Sequence, residues 1–374
     1  MVGMDNATSC SESEVKGKRR GTGQTIFELG WSWNGFMDGV RHHYKIQERG
    51  TGRYLPWGPL FMRRQFQREL ANELRDDLLR GGPCRWCVVK SRKVGASTYL
   101  AGMGLDIAQT LSWNVGILAH ETAATENIFG IARTMYEKQT RAKPALRSSR
   151  TESLTFGVSA RADRTEGDTG LMSRIVCGTA GGRHPLTSYT LHMLILDECA
   201  KYQLDDEGYD SLLNSVMGSV PTEGPSLVVK NSTANGQQGD FYDTVMQSLE
   251  DTRKGVEPQW RVFFRPWWFD EGNSMPPEEG YDWENWDKDD REREEMLTSK
   301  HGLTLAQLRF RRFQIRQLRN DVLNFDQEFP DSIMSAFKNP ASPAIPRPIM
   351  EKLRFGVTTA KARYTARMVE GDAP

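Results

Sequence analysis

The sequence contains no apolar run near the ~18 residues that a membrane-crossing helix needs, so no transmembrane span is expected. Residues 1–24 are polar and lack the apolar stretch of a secretory signal. Cysteine is scarce, five in 374 residues, which argues against a disulfide framework and for a reduced compartment. Cys84 and Cys87 form one C-x-x-C, but a zinc site takes about four ligands and no second pair stands at suitable spacing, so both are expected in the core. Neither sign of charge prevails, with 49 basic and 49 acidic residues. Nucleic-acid binding would therefore have to come from local patches. Hydrophobic residues make up 38% of the chain, enough for a packed core in one large or two ordinary domains.

The chain is organised around Lys90-Ser91-Arg92-Lys93-Val94-Gly95-Ala96-Ser97-Thr98. The mostly apolar run 84–89 before it reads as a buried strand. Residues 99–108 after it carry apolar side chains at helical spacing. Strand, glycine loop and helix form the setting of a phosphate-binding loop. The helix start offers unpaired N–H groups and the positive end of its dipole, and Gly95 lets the backbone approach. Ser97 or Thr98 could supply the hydroxyl that a nucleotide-bound Mg²⁺ requires. The pattern G-x-x-x-x-G-K-[ST] puts a lysine after the last glycine; here that position is Ala96, and Lys90 stands in place of the first glycine. The positive charge could then come from Lys90, Arg92 or Lys93.

Residues 60–79 read as one amphipathic helix with Phe66, Leu70, Leu74 and Leu78 on its apolar side. Gln65 and Gln67 lie near its start, where a glutamine could meet an adenine edge. Residues 113–120 and 173–178 read as further strands, with a helix over 121–140 between them, and this alternation predicts a parallel sheet. Residues 141–172 are expected to be loop-rich and basic. The apolar run 191–196 ends in Asp197-Glu198. In a parallel sheet ligands sit at that end of a strand, so Asp197 could hold Mg²⁺ and Glu198 could deprotonate water. Residues 227–231 form another strand, running into Ser232-Thr233-Ala234-Asn235. Residues 260–268 read as a strand, 270–295 as an acidic solvated loop and helix start, and 304–320 as a helix whose arginines 309, 311, 312, 316 and 319 could face solvent, DNA or a neighbouring subunit.

Taken in order, these motifs resemble the ATPase domain of the large terminase subunit of tailed bacteriophages. Lys90–Thr98 is similar to that family's deviant Walker A loop, Leu194–Ala200 to its Walker B strand, and Ser232–Asn235 to its coupling motif. Phe66-Gln67-Arg68-Glu69 is similar to its adenine-contacting helix, and Phe325–Pro330 with Ala336-Phe337 to the segment that closes the domain. The resemblance spans roughly residues 60–340 and implies an α/β P-loop NTPase of the RecA/ASCE type, with a mainly parallel sheet flanked by helices. With composition beside it, four parts are expected: an N-terminal arm and packing segment at 1–59, an ATPase core at 60–250, a lid or linker subdomain at 251–340, and a Pro-rich linker at 341–374 toward a nuclease domain not expected in this chain.

The implied activity is ATP hydrolysis with Mg²⁺, coupled to translocation of double-stranded DNA into a procapsid in the host cytoplasm. Lys90 and Arg92 would serve the phosphates, Ser97 and Asp197 the metal, Glu198 the attacking water, and Ser232, Thr233, Ala234 and Asn235 the coupling. The implied partners are the DNA backbone, the portal or procapsid, the small terminase subunit and further copies in a ring. One of Arg150, Arg161 and Arg164 could act as an arginine finger from a neighbouring copy. The competing readings are a P-loop helicase or remodelling ATPase, and a non-hydrolysing DNA- or capsid-docking scaffold.

Overall fold

The computed structural model describes residues 24–48, 51–157, 171–182, 186–202 and 206–338, apart from residues 277, 279, 282, 284 and 285. The expected N-terminal arm, Arg161, Arg164 and the Pro-rich linker lie outside the described residues.

A small antiparallel hairpin, β1 (Lys45–Gln47) and β2 (Tyr54–Pro56), precedes the main sheet. The main sheet holds β3 (Pro83–Val89), β4 (Asn114–Ala119), β5 (Leu146–Arg150), β6 (Ser153–Phe156), β7 (Arg174–Thr179), β8 (Met193–Asp197), β9 (Ser226–Ser232) and β10 (Arg261–Phe264). Its spatial order is β10-β3-β9-β8-β4-β7-β6-β5. The six strands from β10 to β7 are parallel, and β6 and β5 close one edge antiparallel. The class is α/β with a mainly parallel sheet, as the motif order implied. β8 and β9 are buried at every residue, as befits central strands covered on both faces.

Helices α1 (Trp33–Asp38) and α2 (Trp57–Met62) lead into α3 (Gln65–Leu78), α4 (Ala96–Thr110) and α5 (Thr122–Lys138). These share one core with one face of the sheet, with Trp31, Trp57 and Tyr99 among its buried aromatics. Trp57 packs so closely on α4 that a Cβ at Gly102 would overlap its ring. Helices α6 (Asp206–Met217) and α7 (Asp240–Arg253) lie along the chain that supplies the second core, on the other face. A third cluster lies in the C-terminal unit of α8 (Lys288–His301), α9 (Leu305–Gln317) and α10 (Val322–Glu328), while α11 (Ile333–Ala336) packs on the second core. Cys84 and Cys87 are buried and free, as expected. Among the described residues no helix is long and apolar enough to cross a membrane.

Several expectations need correction. The single helix over 60–79 is two, because Arg64 leaves helical geometry (φ −104°, ψ 85°) and sends its guanidinium 2.6 Å from the buried Asp270 carboxylate. The strand expected over 260–268 ends at Phe264 and turns into a 3₁₀ segment, Trp267–Phe269. The loop-rich stretch after residue 141 contains the β5–β6 hairpin.

The arginines of α9 do not form a free basic face. Arg311 is fully buried and bidentate on Asp290, and Arg312 grips Glu294 at 2.7 Å. Asp290 and Glu294 belong to the stretch expected to be solvated, yet both are buried on α8. α9 itself starts on a capping box, with Thr304 accepting from Gln307 N and Gln307 reaching back. Buried charges of this kind stabilise only as complete pairs. Arg311→Ala should lower unfolding stability by about 3–5 kcal/mol, since it leaves buried carboxylates uncompensated. Urea unfolding followed by tryptophan fluorescence measures it, and a change under ~1 kcal/mol would contradict the assignment.

Candidate nucleotide-binding site

Three adjacent parallel strands bring their C-terminal ends together here. β3 delivers the loop that starts at Lys90, β8 ends in Asp197, and β9, which pairs with both, ends in Asn231 and Ser232. The register sets Asp197 directly opposite Asn231 and Val89 opposite Ser232. A strand thus separates the loop strand from the acidic strand. It lays an amide side chain beside the acid.

The loop closes on Gly95, whose φ of +83° lies in the left-handed region. A side chain there would be strained and would overlap Gln67 Nε2. Gly95 caps α4, whose first-turn N–H groups face the cleft. Lys93 also has positive φ, at 66°. Val94 and Ala96 are buried, so they shape the loop from beneath. Ser91 is buried as well, and its hydroxyl has no hydrogen-bond partner.

Lys90 is the basic residue that enters the site. Its Nζ lies 2.7 Å from Glu198 Oε1 and donates to Ser97 Oγ at 3.3 Å. Ser97 donates to Asp197 Oδ1 at 2.7 Å. Asn231 Nδ2 donates to the same carboxylate and to Ser97 at 3.1 Å. Arg92 lines the same cleft but stands outside this hydrogen-bonded cluster. Its side chain is half exposed, with Nη1 3.4 Å from Glu328 Oε2, and its backbone N–H donates to Glu328 O at 2.8 Å.

Glu198 sits just past the strand end with φ 52°, an unusual conformation for a non-glycine residue and one found at functional sites. Its second oxygen lies 3.0 Å from Lys201 Nζ and accepts from Thr233 at 3.5 Å. Burial pushes the carboxyl pKa up, but Lys90 and Lys201 outweigh it and hold the group at about 2. For Asp197 burial prevails over Lys90, and its pKa is raised. Burial would lower the pKa of Lys90, yet Glu198 and Asp197 overcome that and raise it. The site thus rests as a closed set of compensating charges.

The 232–235 segment is tied to both halves. Ser232 O accepts from Lys90 N, Ser232 Oγ accepts from Ala200 N, and Asn235 Nδ2 donates to Ala200 O. Ala234 is buried in the second core. A cleft of about 840 Å³ opens over the cluster, lined by Lys90, Gly95, Ser97, Thr98, Asp197 and Glu198 among others. Gln67 stands behind the loop, 3% exposed, with Nε2 donating to Gly95 O at 2.7 Å. Its Oε1 is buried without a hydrogen-bond partner. Arg150 lies on β5, four strands from β8, and so takes no part in its own chain's cluster. Three participants are not marked as such by the sequence: Asn231, Lys201 and Glu328. Asn231 reaches the site through strand register, which local patterns do not encode, whereas Lys201 follows Glu198 by three residues and Glu328 lies in the 325–330 segment.

No group of three or more metal-ligating side chains exists among the described residues. A Mg²⁺ that keeps water and phosphate oxygens needs few protein ligands. The Ser97 hydroxyl and Asp197 carboxylate are hard oxygen donors 2.7 Å apart, and the Asn231 amide oxygen beside them is buried and unpartnered. That donor set fits such an ion.

No family model matches the chain, and no curated protein matches it. Comparison with solved structures finds the large terminase ATPase domain of Thermus phage P74-26, 18% identical with a TM-score of 0.41, covering 67% of this chain and 88% of that one. It also finds the large terminase of bacteriophage HK97, 14% identical with a TM-score of 0.47, where the match covers 88% of this chain and 58% of that protein.

Proposed function

We propose that the chain is an ATP-hydrolysing motor domain of a viral terminase large subunit, which moves double-stranded DNA into a procapsid. The observation that carries the ATPase reading is the hydrogen-bonded cluster of Lys90, Ser97, Asp197, Glu198 and Asn231 at the ends of three adjacent strands. A loop that only opened a surface helix would not need a buried lysine aimed at two acids. The packaging reading rests on the ordered set of motifs that resembles that family.

The resting charges suggest how turnover begins. A triphosphate entering at the α4 N-terminus competes with Glu198 for Lys90. Lys90 then takes the place of the usual loop lysine, and the α4 N–H groups hold phosphate oxygens. Ser97 and Asp197 would hold a Mg²⁺, which when bound would supply positive charge against the phosphate oxygens. Glu198 loses one of its two cations, so its basicity rises from a carboxyl pKa of about 2. Lys201 and Thr233 keep its second oxygen in place. The freed oxygen accepts a proton as water attacks the γ-phosphorus, and the bond to the β–γ bridging oxygen breaks with its electron pair leaving on ADP. Ser232–Asn235, bonded to the loop and to the segment after Glu198, carry the change outward. Gln67 holds the loop through Gly95, and contact with a base amine would require its buried Oε1 to be uncovered.

The test is phosphate release from ATP with and without Mg²⁺, and with and without duplex DNA. Mg²⁺-dependent hydrolysis that DNA accelerates is expected. Absence of hydrolysis under all conditions, with ATP bound, would favour the docking-scaffold reading instead.

A further inference from the structure

The antiparallel edge of the sheet carries a second polar site, remote from the nucleotide cleft. Residues directly opposite on neighbouring strands share a face. Register places Arg150 opposite Ser153, Ser148 opposite Thr155, and Thr155 opposite Arg174. Their alternates Leu154, Phe156 and Ile175 fill the core on the other face. Regular alternation would turn Arg147 away from Ser148, but the pairing slips between Leu146 and Ser148. Such an irregularity re-aims a side chain, and Arg147 lines the same small cavity of about 260 Å³.

Three arginines therefore share one recess with Ser148, Ser153 and Thr155, and Val176 and Tyr189 complete its lining. No described carboxylate pairs with any of the three arginines, even though Glu152 stands in the adjoining turn. Arg147 donates only to Met172 Sδ. Arg174 is held with its guanidinium 4.6 Å over the Tyr189 ring, and its Nε is buried with no hydrogen-bond partner. Elsewhere this chain, with its 49 acids for 49 bases, neutralises buried arginines closely, as Asp290 and Glu294 do for Arg311 and Arg312. Here Arg147 and Arg150 are exposed, Arg174 is half-buried, and among the described residues no carboxylate faces them.

We infer that this recess is an anion seat that takes phosphates of a DNA backbone lying across β5–β7. Guanidinium forks and serine or threonine hydroxyls are the donors that meet phosphate oxygens. The recess is lined mainly by guanidinium and hydroxyl groups, with Val176 and the Tyr189 ring beside them, and donors of that kind meet the backbone and not the base edges, so binding would be indifferent to sequence. The choice of DNA as the phosphate's source rests on the packaging reading; the seat itself does not.

The experiment measures binding of a labelled random-sequence duplex, without nucleotide, across a salt series. Two variants are compared: Arg147→Ala with Arg174→Gln, and Ser153→Asp, which places a carboxylate in the seat without removing an arginine. Thermal melting confirms that each is folded. Each should weaken binding on the order of tenfold at low salt, and the double variant should flatten the slope of log affinity against log salt by about 0.9 for each phosphate that it no longer neutralises. DNA-free ATP hydrolysis should stay at the wild-type rate. Unchanged affinity and slope in both variants would overturn the inference. Loss of self-association with DNA binding intact would overturn it too, assigning the face to a neighbouring copy. If the variants lose DNA affinity while the wild-type chain never hydrolyses ATP, the motor reading fails and the seat stands.

Discussion

Glu198→Gln is expected to stop ATP turnover while leaving ATP bound. The substitution keeps the shape of the side chain and an oxygen that Lys201 and Thr233 can still hold. It removes the basic carboxylate. General-base assistance contributes ~10²–10⁴-fold, so the hydrolysis rate should fall by about a thousandfold. Nucleotide affinity should hold or rise, because neutral glutamine no longer competes with phosphate for Lys90. Stopped-flow or single-turnover phosphate release reads the first effect, and titration with a fluorescent ATP analogue the second. Turnover within tenfold of wild type would remove Glu198 from the role. Loss of ATP binding instead would show that the carboxylate is structural.

Lys90→Ala is expected to weaken ATP binding by roughly tenfold to a hundredfold, the value of a charge-assisted hydrogen bond. The lysine is buried against Glu198, Ser97 and, electrostatically, Asp197. Its removal leaves two adjacent carboxylates facing the incoming phosphates, with Lys201 still paired to Glu198. Repulsion should then add to the missing hydrogen bond. The comparison with Arg92→Ala is what decides the assignment. Arg92 is half exposed and faces Glu328 at 3.4 Å, and an exposed pair is worth ~0–1 kcal/mol, so that variant should bind ATP within about fivefold of wild type. If Arg92→Ala proves the more damaging, the loop must rearrange on filling, and Lys90 serves only to hold Glu198 at rest.

The parts of this molecule that sequence reveals are those encoded locally. The strand before the loop, the loop itself and the acid-tipped strand are marked by short apolar runs, by Gly95 and by the Asp197-Glu198 pair. Asn231 sits within a strand that its apolar neighbours mark, yet nothing near it in sequence sets it apart from the turn that follows. What gives it a place beside Asp197 is that β9 lies between β3 and β8, a long-range register that no local pattern announces. The β5–β6 hairpin is hidden because its strands are short, polar and at the sheet edge, with no apolar run to mark them. The α9 arginines read as a basic surface because their partners, Asp290 and Glu294, come from another helix. Composition places these charges on the surface; only tertiary pairing takes them inside.

The backbone bond from Arg92 to Glu328 has a mechanical side. It is made by main-chain atoms, so no side-chain rotation can slip it. Glu328 ends α10, which Arg293 of α8 holds through Asp326, and the same guanidinium holds Asp331 just past the helix. The tip of the loop is therefore a latch on a braced frame. Any swelling or tightening of the loop around its cargo must either spring that latch or swing the frame with it.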